Sequence, residues 1–589
     1  MRARSDGAGP RADGVRAGRL MDRRRARRRS IGGIGGISIH GIRSIRRIRT
    51  MPLAIRFGLQ FAARPAAYAP TVPNRLHDAP RAPARAPGYH RAARGMPDRA
   101  FGTPPVSRSI PRPAHNMTTQ PNRVSSSPFI SDASVRGLAD AVRHGACRAV
   151  DVADDALARV AAIAPLNAMV HVDAELGRRT AERIDARIAQ GDALLLAGVP
   201  FVIKDNLDTA DMPTLGASPA VNGYRATHDA LTVRRLLDAG AVPLGKANMH
   251  ELAFGITSGN RQFGAVGNPH EPRRIAGGSS GGTAAAVAAG IPFGLGTDTG
   301  GSVRIPAAFC GVYGLRPSVQ RYSSHGVLSL SHTRDTVGPI ARHIDDLLLL
   351  DAVLTRDDGI AAAPGWSQLR IGVPAAPYFD ELDPGVAACI ERALASCAAA
   401  GATLVPLPAR QLHDASEACG FPIAAFEANL YWRRFATQRL GIPFDTFVER
   451  IASDDVRAIF RSFVSAPIDA QSYADGLDWR RRIVRWYDDA FGTPVDCIAM
   501  PTVPGEPPLL DDTAAMTAAQ DAALFARVAR QTSPASLAGV PSVSLPAGRS
   551  AQTGLPVGLM LEGPWGGDRR LLAIAARVDA RLRDDAACA

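Results

Sequence analysis

Residues 276–306 read "AGGSSGGTAAAVAAGIPFGLGTDTGGSVRIP". The alanine run favours helix. The segment "PFGLGTD" (residues 292–298) is apolar and short, the length of a buried strand. Glycine pairs on either side of the serines mark turns. The stretch therefore predicts a helix over 283–290 that hands over to a strand ending at Asp298. One Ser/Gly turn, 277–282, precedes the helix, and a second, 299–302, follows the strand.

The same alternation continues outward in both directions. Upstream, "GVPFVIKD" (198–205) reads as a buried strand ending in Lys204, and "AVPLGKAN" (241–248) as another. Between them "DALTVRRLLDAG" is a helix closed by Gly240. Further upstream, Val135, Leu138 and Val142 recur at helical spacing, with Gly145 as a stop. Leu157, Val160 and Ile163 mark a second helix, and Ala181, Ile184 and Ile188 a third that stops at Gly191. The last clear helix starts at Asp568 and carries Leu571, Ile574, Val578 and Leu582. Helices alternating with short apolar strands predict an α/β fold with a parallel or mixed sheet covered on both faces. No period of 20–50 residues repeats.

The chain has 589 residues, of which 46% are hydrophobic, enough for a large core. The longest apolar stretch, "ALLLAGVPFVI" (193–203), is interrupted by Gly and Pro and fits strands better than a membrane span. The net charge of +14 is uneven. Residues 1–116 carry 25 arginines against 5 acidic residues, while the remainder carries 44 basic and 50 acidic residues. The basicity thus belongs to the N-terminal arm, whose "DRRRARRRS" block and Gly-, Pro- and Ala-rich runs predict disorder. Three readings of this arm compete: nucleic-acid binding, organelle targeting, or upstream sequence translated from a misplaced start, with the natural start at Met117. The last is favoured, because the first recognisable helix begins shortly after Met117. Residues 117–589 then form one domain. The seven cysteines include no CxxC pair and no zinc spacing, which points to a reducing compartment.

Only two of the 69 basic residues are lysines, Lys204 and Lys246. Under such a bias a surviving lysine marks a place where arginine fails, since only lysine readily loses its proton when buried. Chance survival is the competing reading.

Three turns carry candidate chemistry: "VIKDN", "AGGSSGG" and "TDTGGSVR". The "GGSSGGT" loop lacks the lysine of a phosphate-binding loop and does not match GxGxxG. It satisfies GxSxG, but the preceding "NPHEPRRIA" is polar and holds two prolines, so no strand leads into a nucleophile elbow. In "TDTGGSVRIP", successive backbone N–H groups after the strand can converge on one point, as an oxyanion hole requires. Ser302 ends that turn. A serine hydroxyl needs a base. No histidine sits in a recognisable triad motif, so a neutral, desolvated Lys204 is the candidate.

Taken together, these residues resemble the amidase signature hydrolases, whose hallmark is a Ser–cis-Ser–Lys triad. Their two serine motifs stand here as "AGGSSGG" and "GTDTGGSVRIPAAFCG". The resemblance continues through "YGLRPS", "HTRDTVGPIAR", "IAMPTVP" and "SLAGVPSVSLPAG…GLPVGLMLEGP", and so covers most of residues 130–580. It implies the amidase-signature α/β fold, with a large mixed twisted sheet. By position it implies Ser302 as acyl-forming nucleophile, Ser279 as the bridging residue on a cis peptide after Gly278, and Lys204 as base. The backbone N–H groups of Thr299, Gly300, Gly301 and Ser302 would form the oxyanion hole. Ser280 would support the loop, and Asp298 and Arg304 would brace the turn. Lys246 matches a position without a triad role, structural or a hydrogen-bond donor near the site, and Cys310 reads as core. The gap from Ser279 to Ser302 is 23 residues, one fewer than the family's commonest form.

Within the family, "ELAFGITSGN" and "VLSLSHTRDTVGPIAR" look most like hydrolases of arylacetamides such as indole-3-acetamide and mandelamide. The resemblance thus implies cleavage of a small primary carboxamide to carboxylate and ammonia, in the cytoplasm, with water as co-substrate. It implies no cofactor, metal, membrane or nucleic acid, and leaves a homodimer open. The glutamine-hydrolysing subunit of tRNA-dependent amidotransferases is the alternative within the family, and a nucleic-acid-associated protein acting through the basic arm is the alternative outside it. Motif information runs out over 370–480. There "AFEANLYWRRFATQ" (425–438) reads as an amphipathic structural helix, with a pocket-lining role as the competing reading.

Overall fold

In the computed structural model, residues 129, 133–359 and 361–588 are described. The basic arm and its boundary at Met117 lie outside them. Every described residue falls in the unit Ala86–Ala589.

Eleven strands form one sheet: β1 (Met169–Val172), β2 (Pro200–Lys204), β3 (Val242–Ala247), β4 (Phe293–Asp298), β5 (Tyr313–Arg316), β6 (Thr336–Ala341), β7 (Arg370–Pro374), β8 (Thr403–Leu407), β9 (Cys497–Pro501), β10 (Ser542–Arg549) and β11 (Pro556–Glu562). Their order across the sheet is β1-β3-β2-β4-β6-β5-β10-β11-β9-β7-β8. β2 runs parallel to β3 and β4, and β7 parallel to β8 and β9, while the other pairings are antiparallel. The sheet is therefore mixed, as an α/β reading requires. β2, β3 and β4 are buried at every residue, which is why they read as continuous apolar runs rather than alternating ones.

One edge of this sheet collects the chemistry. β2 and β4 are parallel neighbours, with Ile203 opposite Leu295, so Lys204 and Asp298 end their strands at the same edge. β6 is antiparallel to β4, with Thr336 opposite Asp298, and so begins there, bringing the segment 331–335 along. β5 is antiparallel to β6 and ends there at Arg316. β10 begins there too, with Ser542 opposite Arg316, preceded by the helix Ser533–Ala538. Ligand sites lie outside the carboxyl ends of parallel strands in such sheets.

The alanine-rich helix runs Gly281–Ala288, two residues earlier than the glycine rule predicts. Space explains the difference. A Cβ on Gly282 would lie 2.4 Å from the carbonyl oxygens of both Ala168 and Asn248, and one on Gly281 would lie 2.4 Å from Ser258 Oγ. The glycines are the first helical turn, pressed against neighbouring backbone. Ala284, Ala285 and Ala286 are fully buried, so the thin helix lies close on the sheet.

Residues 370–480, where motifs fail, supply β7, β8 and the long helix Arg410–Arg439. Trp432, Phe435 and Ala436 pack with Phe444, Phe447 and Phe460, so much of the segment 425–438 is a core face.

Candidate active site

At the crowded edge, Lys204 is fully buried. Its Nζ lies 2.7 Å from Ser279 Oγ, 2.8 Å from Thr297 Oγ1 and 3.4 Å from the Thr297 carbonyl. Asn206 Nδ2 donates to the same Thr297 hydroxyl at 3.0 Å. A neutral amine has two N–H groups and one lone pair. With both N–H groups given to Thr297, the lone pair is left for the Ser279 hydroxyl. Burial lowers the Lys204 pKa to about 7 against the pull of Asp298 and Asp335, which favour the ammonium.

The Gly278–Ser279 peptide is cis. The Ser279 carbonyl accepts the His250 N–H at 3.2 Å and the Ser258 hydroxyl at 3.4 Å. Ser280 turns the other way. Its hydroxyl donates to the Thr297 carbonyl at 3.1 Å and accepts the Thr297 N–H at 3.3 Å, which ties the loop to β4. The Ser280 N–H donates to the Ser302 carbonyl at 3.2 Å, so the two serine turns lie side by side. Ser302 itself is half-buried, and its hydroxyl has no hydrogen-bond partner among the described residues.

The turn from Thr299 to Ser302 is held from beneath. Asp298 accepts the Gly301 N–H at 2.9 Å and the Val303 N–H at 3.1 Å. Arg304 grips the same carboxylate through two nitrogens at 3.0 Å, and Arg316 reaches it at 3.1 Å. Burial opposes ionisation here, but the two guanidiniums outweigh it and hold the Asp298 carboxyl well below its usual range. Gly301 sits at φ +133, and a Cβ there would lie 2.3 Å from Thr532 Oγ1, so only glycine fits. With the Gly301 N–H given to Asp298, the N–H groups of Thr299, Gly300 and Ser302 have no acceptor among the described residues. The Thr299 hydroxyl is bonded to Asp335 at 2.5 Å, and the Gly300 carbonyl accepts the Thr532 hydroxyl at 2.6 Å.

The expected triad, turn and bracing residues thus meet at one place, with one departure: the Gly301 N–H, expected in the oxyanion hole, is turned to Asp298 instead. Lys246 does not join them. Its Nζ is absorbed by the Leu207 carbonyl at 2.6 Å, Thr214 Oγ1 at 2.9 Å and Thr209 Oγ1 at 3.3 Å, with Asp205 3.8 Å away. Cys310 is core, its thiol pushed up by burial. The sequence reading missed Thr297, Asn206, Ser258 and Arg316. Thr297 carries a signal in retrospect, being the one side-chain hydroxyl within the strand that ends at Asp298. Among the described residues, no three His, Cys, Asp or Glu are grouped to hold a metal, and no helix is long and apolar enough to cross a membrane.

A family model described as Amidase matches residues 151–572. The chain is 37% identical over 463 residues to mandelamide hydrolase of Pseudomonas putida, covering 75% of this chain and 90% of that one. It is 36% identical over 449 residues to indoleacetamide hydrolase of Agrobacterium vitis, covering 73% and 93%. A crystal structure of an amidase superposes with a TM-score of 0.68 at 30% identity, covering 76% of this chain and 100% of the other. The matched span contains both serine turns and the lysine beneath them, and the chain belongs to the amidase family, hydrolases of amide C–N bonds.

Proposed function

We propose that the chain hydrolyses a small primary carboxamide with an aryl or alkyl acyl group to the carboxylate and ammonia, through an ester on Ser302. Ser302 Oγ attacks the amide carbonyl and passes its proton to Ser279 Oγ, whose own proton goes to neutral Lys204. The carbonyl oxygen gains the negative charge and is received by the free N–H groups of Thr299, Gly300 and Ser302. The C–N bond then breaks as Lys204 returns its proton through Ser279 to the departing nitrogen, which leaves as ammonia. Water attacks the ester along the same relay, and the carboxylate departs with Ser302 restored. Asp298 and Arg304 hold the turn, and Ser280 holds the loop to β4.

The observation that carries this reading is a fully buried lysine, held near neutrality, 2.7 Å from a serine whose turn lies against an unbonded serine hydroxyl. The aryl or alkyl acyl group rests on the likeness to mandelamide and indoleacetamide hydrolases. Cys147, Cys310, Cys389, Cys397, Cys419 and Cys497 are free thiols, which suits action in a reducing cytoplasm.

The test is ammonia release over aryl- and alkylacetamides and glutamine, with Ser302→Ala as control. Arylacetamides are expected to be cleaved and Ser302→Ala to be inactive. Release undiminished in Ser302→Ala would refute the nucleophile, and a preference for glutamine would refute the substrate class.

A further inference from the structure

Arg334 lies in the "SHTRDT" segment beside the turn and has no part in the proposed proton relay. It is only 4% exposed. Its Nη1 donates to the Gly420 carbonyl on the helix Arg410–Arg439 at 2.8 Å. Its Nε is buried without a partner, and Nη2 makes no hydrogen bond among the described residues. Nη2 lies 3.5 Å from where a Cβ on Gly300 would stand. The guanidinium therefore faces the Cα side of the turn.

Among the described residues no carboxylate forms an ion pair with Arg334, although Asp335 and Glu427 favour its charge through space. Asp335, next in sequence, is occupied by Thr299 Oγ1, Ser329 Oγ and the N–H groups of Leu330 and Ser331. Glu427 is occupied by Ser331 Oγ, Thr333 and Tyr473 OH. Asp298 is claimed by Arg304 and Arg316. A buried guanidinium with two idle nitrogens is costly unless something fills them.

Its mounting is rigid. The Arg334 carbonyl accepts from Arg316 at 2.8 Å, and the Arg334 N–H donates to the Ser331 carbonyl at 2.9 Å. Arg480 holds the Thr333 carbonyl at 3.1 Å. The charge is fixed in place beside Gly300, whose free N–H belongs to the proposed oxyanion hole, as a recognition group must be. In a primary amide the only substituent on that carbonyl, apart from the leaving nitrogen, is the acyl carbon.

We propose that Arg334 binds substrate, and that the amide carries a hydrogen-bond-accepting oxygen on the carbon next to the carboxamide. This rests on the primary-amide reading above and narrows it, favouring 2-hydroxy amides over plain acetamides. A charge-assisted bond of this kind discriminates by about 10- to 100-fold.

The test compares kcat/KM on mandelamide and phenylacetamide, which differ only in the 2-hydroxyl, for wild type, Arg334→Met and Arg334→Lys. Wild type is expected to prefer mandelamide by about tenfold or more. Arg334→Met is expected to erase that ratio, mostly through KM, and Arg334→Lys to restore part of it. A partly unfolded variant lowers both rates alike, so the ratio remains readable. Equal losses on the two amides, or an unchanged ratio in Arg334→Met, would overturn this proposal alone. Wild type that cleaves neither amide would overturn it together with the substrate reading.

Discussion

Lys204 acts as a base only when neutral, so its burial sets a pH dependence. Burial lowers its pKa from 10.5 to about 7. At pH 6 the neutral fraction is then about 10%, and at pH 8 about 90%. The value of kcat/KM for an arylacetamide, followed by ammonia release, should rise about tenfold from pH 6 to pH 8 and level off above. The sign follows from the charge: protonation removes the lone pair that takes the Ser279 proton. Asp335 favours the ammonium, so Asp335→Asn should move the rising limb to lower pH. Lys204→Arg keeps a cation but stays protonated at every accessible pH, and activity should fall by about 10²–10⁴. Lys204→Met should fall as far, with no rising limb. A flat profile between pH 6 and 8 in the wild type, or an active Lys204→Arg, would refute the neutral-base argument.

Three further predictions concern the frame. Asp298→Ala leaves Arg304 and Arg316 buried without their carboxylate, and should cost about 3–5 kcal/mol in urea unfolding; a cost under about 1 kcal/mol would show the cluster to be dispensable. Gly282→Ala drives a Cβ against two carbonyl oxygens and should cost about 1–3 kcal/mol or more, whereas Gly492→Ala, whose Cβ meets nothing within 4 Å, is the matched control. Glu562 is fully buried, and burial raises its pKa to about 7, so it is neutral in the folded protein at acid pH. Its contribution to stability is complete below about pH 4.5 and is lost as pH rises through about 7, a swing of about 3 kcal/mol. Glu562→Gln should flatten that part of the thermal-stability profile; an unchanged slope would assign it elsewhere.

The parts of this molecule legible in its sequence are those decided by neighbours along the chain. The runs ending at Lys204 and Asp298 read as buried strands because both faces are covered. The Ser/Gly turns stand out because glycine is needed where backbones touch. The strand order was not legible, because apolar runs do not say which other run they lie beside. Nor were the long-range ties. Arg316 and Ser536 meet Asp298 from 18 and 238 residues away, and Glu427 secures Ser331 across 96. No periodicity encodes such pairs. Arg334 was quoted within a motif, but its idle nitrogens follow from what Asp335 and Glu427 are bonded to, and that is tertiary information.

The lysine count gains a physical reason. Both lysines in a chain of 67 arginines are fully buried, with burial lowering them to about 7 and about 8. Each meets three oxygens within hydrogen-bond reach, matching the three positions on an amine nitrogen, whereas a guanidinium would bring five donors on a wider plane. Arginine fails at both sites on geometry alone, before any catalytic argument. What separates the two is the company. Lys246 has three oxygen acceptors and a carboxylate 3.8 Å away, all consistent with a structural cation. Lys204 has Thr297 for two of its positions and, at the third, a serine hydroxyl that can give up a proton. The scarcity of lysine thus points to two buried sites, and both have hydroxyl neighbours: those of Thr209 and Thr214 give their protons to the Met212 and Leu207 carbonyls, whereas the Ser279 hydroxyl has only Lys204 to give its proton to.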